Sequence, residues 1–251
     1  MGYAARSLTM FRVDTLIIYQ DRAGAEVTKE GALLEKILRY YDTPQYLRKY
    51  LFEKDPDLQY AGTLPPLRGP HHPNLEAPDL GQLREGIVTA SGPVSILNTG
   101  YGQPVHVNGR LAISRRLTVR ITRDSPRIEA EIVDGSELTI YWGPRFSRGN
   151  RTLGQLVKGG GYDMTISTSR RGADVRHVMG QLAQNWKSAK STLLLFGSPR
   201  EGVPEILARE QVKVSDLSFN LNTIPEQAVE TVRTEEALHA TLAVLNTLGE
   251  G

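Results

Sequence analysis

The feature that most constrains the fold of this chain is a change of hydrophobic period in its middle. Before residue 62 and after residue 143, short continuous apolar runs alternate with helical patterns, as in a parallel α/β sheet. Residues 84–133 instead carry short segments in which apolar and polar residues alternate, separated by turn residues. The change of period predicts an α/β domain with a small β-barrel inserted into it.

The α/β part contains strands and helices on both sides of the insert. Residues 15–19 form a nearly continuous apolar run, and the apolar residues of 31–41 fall on one helical face, followed by a second short helix that begins at Pro44. After the insert, we predict strands at 162–167, 192–196 and 217–221 and helices at 174–185 and 234–248, the last capped by Thr234.

The insert is clearest at 116–122. Three apolar residues of this segment face one way, and Arg116 and Arg120 face the other. A turn and a second alternating segment at 128–132 complete a predicted hairpin. The preceding residues 62–81 are rich in proline and glycine, which predicts a linker.

The composition of the chain excludes several kinds of covalent bond, metal site and nucleophile. The chain has no cysteine, which excludes disulfides, Cys-ligated zinc, iron–sulfur clusters and thiol nucleophiles. His71 and His72 have no carboxylate at ligand spacing, so we expect no metal site. No apolar run is long enough to span a bilayer and no secretory signal is recognisable, so we expect a cytoplasmic protein without a membrane partner.

Positive charge is concentrated in the middle of the chain, although the net charge is only +2. Two acids, Glu85 and Asp124, accompany seven arginines between residues 84 and 127, and no acid accompanies the cations between 143 and 160. These cations are Arg84, Arg110, Arg115, Arg116, Arg120, Arg123 and Arg127, then Arg145, Arg148, Arg151 and Lys158. Such a zone is typical of a protein that binds RNA, although a solvated charged face has the same composition.

Three of the predicted strands end in loops of small or turn-forming residues, at 167–172, 197–202 and 222–228. In open α/β sheets, ligands bind beyond the carboxyl ends of strands, and glycines let backbone amides approach a ligand closely. The loops therefore predict a small-molecule pocket, although ordinary turn chemistry produces similar sequences. Neither a Walker A motif nor a G-x-G-x-x-G after a strand is present.

The segment 222–237, NTIPEQAVETVRTEEA, resembles the C-terminal motif of the SPOUT methyltransferases. More narrowly, the chain is similar to the archaeal and eukaryotic branch of RNA uridine-N3 methyltransferases. The patterns that carry this similarity follow one another over nearly the whole chain, and they are FRVDTLIIY (11–19), PQYLRKYLF (44–52), DLQYAGTLPPL (57–67), HH (71–72), REGIV (84–88), YWG (141–143) and GYDMTISTSRRG (161–172).

The resemblance implies an α/β fold with a Rossmann-like SPOUT sheet, whose C-terminal segment threads through a loop as a trefoil knot. It also implies that S-adenosylmethionine binds in the knot and that the protein is a homodimer with active sites near the subunit interface. An OB-like barrel is inserted in the catalytic domain of this branch. We therefore expect a SPOUT methyltransferase domain at 1–71 and 141–251 and an OB-like domain at 72–140.

The same resemblance assigns site residues. Arg171 matches the arginine of the family's T-S-x-R-G loop, where a guanidinium can hold the methionine carboxylate of the cofactor with two hydrogen bonds. The residues expected to bind the cofactor are Thr168, Ser169, Arg171, Gly197, Gly202, Asn222, Thr223, Ile224, Gln227, Ala228 and Thr231. Those expected to bind RNA are Arg116, Arg120, Arg145 and Arg148, and no catalytic base is identified.

The chain departs from the family pattern at two places. Ala228 stands where many relatives have glycine, so a positive φ at this position would be strained. Relatives also begin with a further strand and much of a helix before the stretch that matches residues 2–6. We expect this central strand to be missing through a misassigned start codon or a truncation, which would leave residues 16–19 without a neighbour.

Three ring side chains have alternative interpretations. Tyr141 and Trp142 could stack a base, but a core role at the junction of the two domains is the favoured interpretation. His239 lies off the apolar stripe of the last predicted helix, so we expect it at the surface.

The function expected from this sequence is methyl transfer from S-adenosylmethionine to a base of structured RNA, with N3 of an rRNA uridine as the target. Two alternatives belong to other classes. One is a non-catalytic RNA-binding protein that uses the barrel, and the other is an enzyme with a different small molecule in the three-loop pocket.

Overall fold

The computed structural model describes residues 1–22, 25–63, 66–73, 77–149 and 151–249, so residues 64–65 and 74–76 of the predicted linker lie outside the described part. The helices of this part are α1 (Gly2–Met10), α2 (Ala25–Asp42), α3 (Gln45–Leu51), α4 (Leu153–Gly159), α5 (Val175–Ser188), α6 (Val203–Arg209) and α7 (Thr234–Asn246). The strands are β1 (Thr15–Ile18), β2 (Leu83–Ala90), β3 (Val94–Asn98), β4 (Val105–Asn108), β5 (Arg116–Arg123), β6 (Ile128–Ile132), β7 (Arg145–Arg148), β8 (Met164–Asp174), β9 (Thr192–Leu195) and β10 (Phe219–Asn222).

Two parallel sheets form the α/β part. In one, β1 pairs with β7, and in the other β8 lies between β10 and β9. A hydrogen bond joins the ends of the two sheets. The hydroxyl of Tyr19, the residue after β1, donates at 2.9 Å to the carbonyl oxygen of Phe196, the residue after β9. The α/β class expected from the sequence is confirmed, whereas the knot and the Rossmann-like arrangement stay predictions.

The three-stranded sheet is covered by helices on both faces. Leucines and isoleucines of α4 and α6 pack on one face against Leu193 and Leu195, and α5 and α7 pack on the other against Met164 and Ile166. Burying each such side chain stabilises the fold by about 1.5–3 kcal/mol. This packing fixes the strands whose carboxyl ends carry the three predicted loops.

The inserted segment closes into a five-stranded barrel with the order β2-β3-β4-β6-β5. Its neighbouring strands are antiparallel, except that β4 and β6 are parallel. Along β5, Leu117, Val119 and Ile121 are buried in the barrel core, and the residues between them are partly exposed. The small barrel and the alternation that predicted it are therefore confirmed.

Three helix starts differ from the prediction. Helix α2 begins at Ala25 rather than at residue 31, because alanine, glutamate and lysine favour a helix there without continuing the apolar stripe. Pro44 is the N-cap of α3 rather than its first residue. Arg233, not Thr234, caps α7, since the Thr234 hydroxyl donates to the Gly197 carbonyl oxygen at 3.4 Å. Every helix of the described residues is too short or too polar to cross a bilayer.

Candidate functional site

The first predicted loop, 167–172, is an excursion within β8. Asn220 of β10 pairs with Ser167, but the next residue of β10, Leu221, pairs with Ala173, so residues 168–172 leave the ladder. The buried Ser167 hydroxyl donates to the Asn220 side-chain oxygen at 2.9 Å, which fixes the start of the excursion. A Cβ added at Gly172 would lie 2.6 Å from the Leu221 carbonyl carbon, so only glycine lets the chain return this closely to β10.

Hydrogen bonds tie the first loop to the other two strand ends. The Thr168 hydroxyl donates to the Leu195 carbonyl oxygen at 3.2 Å, at the end of β9. The Asn222 side-chain Nδ2 donates to the Arg170 carbonyl oxygen at 3.1 Å, and the Arg170 guanidinium donates to the Glu230 carbonyl oxygen at 3.0 Å. The structure therefore brings all three predicted loops together at the carboxyl ends of β8, β9 and β10.

The second loop, 197–202, is a tight turn held by its own backbone. The Ser198 amide donates to the Glu201 carbonyl oxygen at 2.9 Å, and the Ser198 hydroxyl accepts from the Glu201 amide at 3.1 Å. A Cβ at Gly197 would lie 2.7 Å from that same carbonyl oxygen. Gly202 then caps α6. The wall formed by this loop is consequently backbone rather than side chain.

The third loop is fixed at its start and along its length. The Asn222 side-chain oxygen accepts from the Ile224 amide at 3.1 Å, and the hydroxyls of Thr223 and Thr241 lie 2.8 Å apart. The Gln227 side-chain Nε2 donates to the Val229 carbonyl oxygen at 2.8 Å. Thr231 follows as an exposed residue.

Ala228 does not have a positive φ, so alanine is tolerated there, and the positive φ of the third loop occurs at Glu226, at 60°. Arg176 holds the Glu226 carboxylate at 3.0 Å and the Asp174 carboxylate at 2.6 Å. The hydrogen bond from Arg176 lowers the pKa of Asp174 to about 2. The local pattern does not predict the contact with Glu226, although an aspartate before a predicted helix with an arginine two residues later indicates the bond between Asp174 and Arg176.

Two adjacent arginines of the first loop differ in availability. The Arg170 guanidinium is bound to the Glu230 carbonyl oxygen, whereas the Arg171 side chain is 82% exposed and, among the described residues, has one ion-pair partner, Glu205 at 3.9 Å. The neighbouring Ser169 hydroxyl accepts from the Arg171 amide at 3.2 Å, which holds the backbone at this point. The Arg171 guanidinium is therefore largely exposed at the strand ends, and its contact with a cofactor carboxylate stays a prediction.

Arg116, predicted to bind RNA, instead joins the barrel to the α/β part. Its guanidinium lies 2.7 Å from the Glu85 carboxylate and 3.5 Å from that of Asp42, and it donates to the Thr43 hydroxyl at 3.3 Å. Burial opposes the charge, but the Glu85 and Asp42 carboxylates outweigh it, so the pKa of Arg116 is raised. Its guanidinium is committed to these internal partners, which argues against the RNA contact.

Glu85 is the centre of this junction and is 5% exposed. One carboxylate oxygen accepts from the Thr118 hydroxyl at 2.8 Å and from the Trp142 indole at 2.6 Å, while the other faces Arg116. The Tyr141 hydroxyl donates to the Val13 carbonyl oxygen at 3.2 Å. The junction role favoured for Trp142 is confirmed by its bond to Glu85 of the barrel, whereas the Tyr141 hydroxyl bonds within the α/β part.

His71 and His72 belong to the same junction and not to an open linker. His71 is fully buried, its Nε2 lies 2.9 Å from the Asp42 carboxylate, and its ring centroid is 4.0 Å from that of His72. Burial, and then the neighbouring His71, lower the pKa of His72 to about 3. The described residues contain no group of three or more His, Cys, Asp or Glu side chains that could hold a metal ion. His239 is exposed as expected, with its Nδ1 2.9 Å from the Ser7 hydroxyl.

The other three predicted RNA contacts are divided between paired and available cations. Arg120 pairs with Glu131 at 2.7 Å, and Arg148 pairs with Glu35 at 3.0 Å. Arg145 is exposed, and in the described part of the chain its guanidinium has no ion pair or hydrogen bond. It lines a cleft of about 510 Å³ between the barrel and the α/β part. Of the four, Arg145 is the best placed to meet a phosphate.

Nearly the whole chain is similar to known proteins. A family model described as "Putative RNA methyltransferase" matches residues 1–245. The 28S rRNA (uridine-N(3))-methyltransferase of Mus musculus is 32% identical over an alignment of 275 residues, which spans 97% of this chain and 69% of that protein. The Homo sapiens protein of the same name is 32% identical over 277 residues, 97% of this chain and 71% of that protein. An uncharacterized protein of Haloarcula marismortui is 33% identical over 261 residues, 98% of this chain and 90% of that protein.

Proposed function

This chain belongs to the RNA methyltransferase family that its residues 1–245 match, and we propose that it methylates N3 of an rRNA uridine with S-adenosylmethionine as the donor. The mouse and human relatives carry this activity in their names. Within the chain, the observation that carries the proposal is the meeting of three loops, at 167–172, 197–202 and 222–228, at one edge of the sheet.

The loops fit this cofactor. Gly172 and Gly197 bring backbone segments together where a Cβ would collide, which holds the loops close to one another at the strand ends, and we infer that their backbone groups bind the adenosine moiety. The exposed Arg171 guanidinium can hold a carboxylate with two hydrogen bonds. When bound, S-adenosylmethionine supplies a methyl group that its sulfonium makes electrophilic.

The contribution of the chain is then chiefly positioning. The bonds from Ser167 to Asn220 and from Thr223 to Thr241 hold the first and third loops in fixed places, and loops fixed in this way would align a bound cofactor with its target base. Uridine N3 carries a proton that leaves during the transfer, and this edge is engaged when the base is paired. The target base therefore has to be unpaired or flipped out.

The barrel supports an RNA substrate. Its order β2-β3-β4-β6-β5, closed through parallel β4 and β6, is that of a five-stranded Greek-key barrel, and we infer that it is an OB-like insert. A C-terminal trefoil knot, a homodimer with active sites near its interface, and action in the cytoplasm also remain proposals based on the sequence.

Two measurements test the proposed function. Calorimetry with S-adenosylmethionine should show binding, and incubation with methyl-labelled cofactor and rRNA from cells that lack the gene should yield N3-methyluridine. RNA binding without cofactor binding would favour the non-catalytic alternative. Cofactor binding with label in another nucleoside would keep the methyltransferase and reject uridine N3.

A further inference from the structure

The available positive charge of the barrel lies in one segment. Arg116, Arg120, Arg123 and Arg127 all have carboxylate partners within 3.2 Å, and the buried Arg84 stacks on the Tyr101 ring at 4.2 Å. Arg110 and Arg115 are exposed, and among the described residues neither guanidinium has an ion pair or hydrogen bond. Both belong to residues 109–115, which connect β4 to β5 and are called the β4–β5 loop below.

The β4–β5 loop is held rigidly at its first end. The fully buried Ser95 hydroxyl donates to the Gly109 carbonyl oxygen at 2.7 Å and accepts from the Leu111 amide at 3.0 Å. The Gly109 amide donates to the Pro93 carbonyl oxygen at 2.8 Å. The Leu111 side chain is buried in the barrel core. Arg110 therefore lies between two residues, Gly109 and Leu111, whose backbone is held by hydrogen bonds.

The second end is fixed to β2. The Ser114 amide donates to the Val88 carbonyl oxygen at 2.9 Å, and the Val88 amide donates to the Arg115 carbonyl oxygen at 3.1 Å. Ser114 has a φ of 65°, which a serine adopts only when its surroundings impose it. Between the two ends, Ile113 is 64% exposed. The loop thus presents a large aliphatic side chain between two cations on a preorganised backbone.

We propose that the β4–β5 loop is the element with which the barrel holds its RNA, with Arg110 and Arg115 on phosphates and Ile113 against an unpaired base. Guanidinium groups bind phosphate with two hydrogen bonds, and an aliphatic side chain gains by leaving water for the face of a base. The rigid backbone lowers the entropy lost on binding. This inference rests on the proposed RNA substrate, and it differs from an RNA contact on the β5 face.

The test compares two double variants of the full chain. The binding of a fluorescein-labelled RNA hairpin with a uridine-containing loop is measured at several salt concentrations. Arg110→Ala with Arg115→Ala should weaken affinity about tenfold or more and lower the salt slope by about 1.4, at ~0.7 per lost contact to single-stranded phosphate. Arg123→Ala with Arg127→Ala, which removes paired cations from the next connection, is the matched control and should leave the slope unchanged.

A third variant separates the aliphatic contact from the charges. Ile113→Ser should weaken RNA affinity by about fivefold at an unchanged salt slope, because burial of apolar surface is insensitive to counterions. All these side chains are exposed, so unchanged thermal midpoints verify that each variant folds.

Three outcomes would overturn the inference. In the first, the wild type binds RNA and the first double variant keeps the full salt slope. In the second, the salt dependence of RNA affinity falls in the control double variant but not in the first double variant. In the third, the loop arginines are needed for binding to vesicles of phosphatidylserine and phosphatidylcholine but not to RNA. A wild type that binds S-adenosylmethionine but no RNA, or the reverse, instead indicates failure of the proposed function.

Discussion

The domain junction around Arg116 and the three-loop site around Arg171 use the same side chain in opposite ways. Arg116 is 31% exposed and lies between the carboxylates of Glu85 and Asp42, whereas Arg171 is 82% exposed with one acid at 3.9 Å. At the junction the charges are paired within the protein, along the cleft that Arg145 also lines. At the loop site, by contrast, the second loop is held by its own backbone and the charge of Arg171 is exposed to solvent.

The difference teaches that a cationic sequence does not by itself show which cations can bind a ligand. A guanidinium with two carboxylate partners has replaced its hydration with internal contacts, and an RNA phosphate would have to displace them. Arg115 and Arg116 are neighbours in the chain, yet the first is available and the second is committed. The predictions below test this contrast from its largest consequence to its smallest.

Glu85→Ala should destabilise the protein most. It leaves Arg116 with only its more distant acid and removes the acceptor of Trp142 and Thr118. Removing one partner of a buried ion pair costs roughly 3–5 kcal/mol. Because Arg116 is partly exposed, we expect the free energy of unfolding to fall by about 3 kcal/mol. Urea unfolding measures it.

The control for this prediction is the exposed pair between Arg120 and Glu131. Glu131→Ala should change the free energy of unfolding by less than about 1 kcal/mol. Adding Arg116→Met to Glu85→Ala should recover part of the loss, because the guanidinium that has lost its nearer acid is then removed, while Asp42 keeps His71 at 2.9 Å. Equal losses for Glu85→Ala and Glu131→Ala would show that the junction is not held by its ion pairs.

Arg171→Ala should weaken S-adenosylmethionine binding and leave RNA affinity nearly intact. A charged hydrogen bond of this kind contributes roughly 1.5–3 kcal/mol, or about ten- to a hundredfold in affinity. Lysine should restore only part of it, since it lacks the planar fork. Arg170→Ala is the matched control, because Arg170 is already bound to the Glu230 carbonyl oxygen. If Arg170→Ala impairs cofactor binding and Arg171→Ala does not, the register assigned to this loop is wrong.

Local patterns predicted much of the fold and the place of the site. The alternation in β5 predicted which side chains enter the barrel core, and the small residues after three strands predicted loops that do lie together. These features depend on the period of the chain and on turn chemistry, and both can be read within a few residues.

The partners of individual charges could not be predicted in this way. Glu85 precedes Arg116 by 31 residues, and Thr43 precedes it by 73, so their meeting depends on how the barrel docks on the α/β part. His71 was assigned to a linker by its proline-rich neighbours, although docking buries it against Asp42. Composition predicts how many cations a region has, while the tertiary structure decides which of them are available.

Two glycines allow the junction and the loop site to be perturbed separately. A Cβ at Gly172 would meet the backbone of Leu221 at 2.6 Å, and a Cβ at Gly143, where φ is +92°, would meet the His71 ring at 2.6 Å. Each change to alanine should destabilise the protein by about 1–3 kcal/mol. Calorimetry should show that Gly172→Ala loses S-adenosylmethionine binding and that Gly143→Ala retains it. Loss of cofactor binding in both variants would mean that the two regions are coupled.

The smallest expected effect concerns the exposed bridge from Arg176 to Asp174 and Glu226, beside the loop site. Because Arg176 lowers the pKa of Asp174 to about 2, the folded state favours the ionised form, and this contribution is present above about pH 4 and lost as pH falls through 2. In Arg176→Gln, carboxyl-carbon NMR should show the pKa of Asp174 returning towards its ordinary 3.8. Asp163 is the matched control, since the backbone amides of Lys190 and Ser191 lower its pKa without an arginine, so it should titrate as before. An unmoved pKa of Asp174 would show that the bridge from Arg176 does not form in solution.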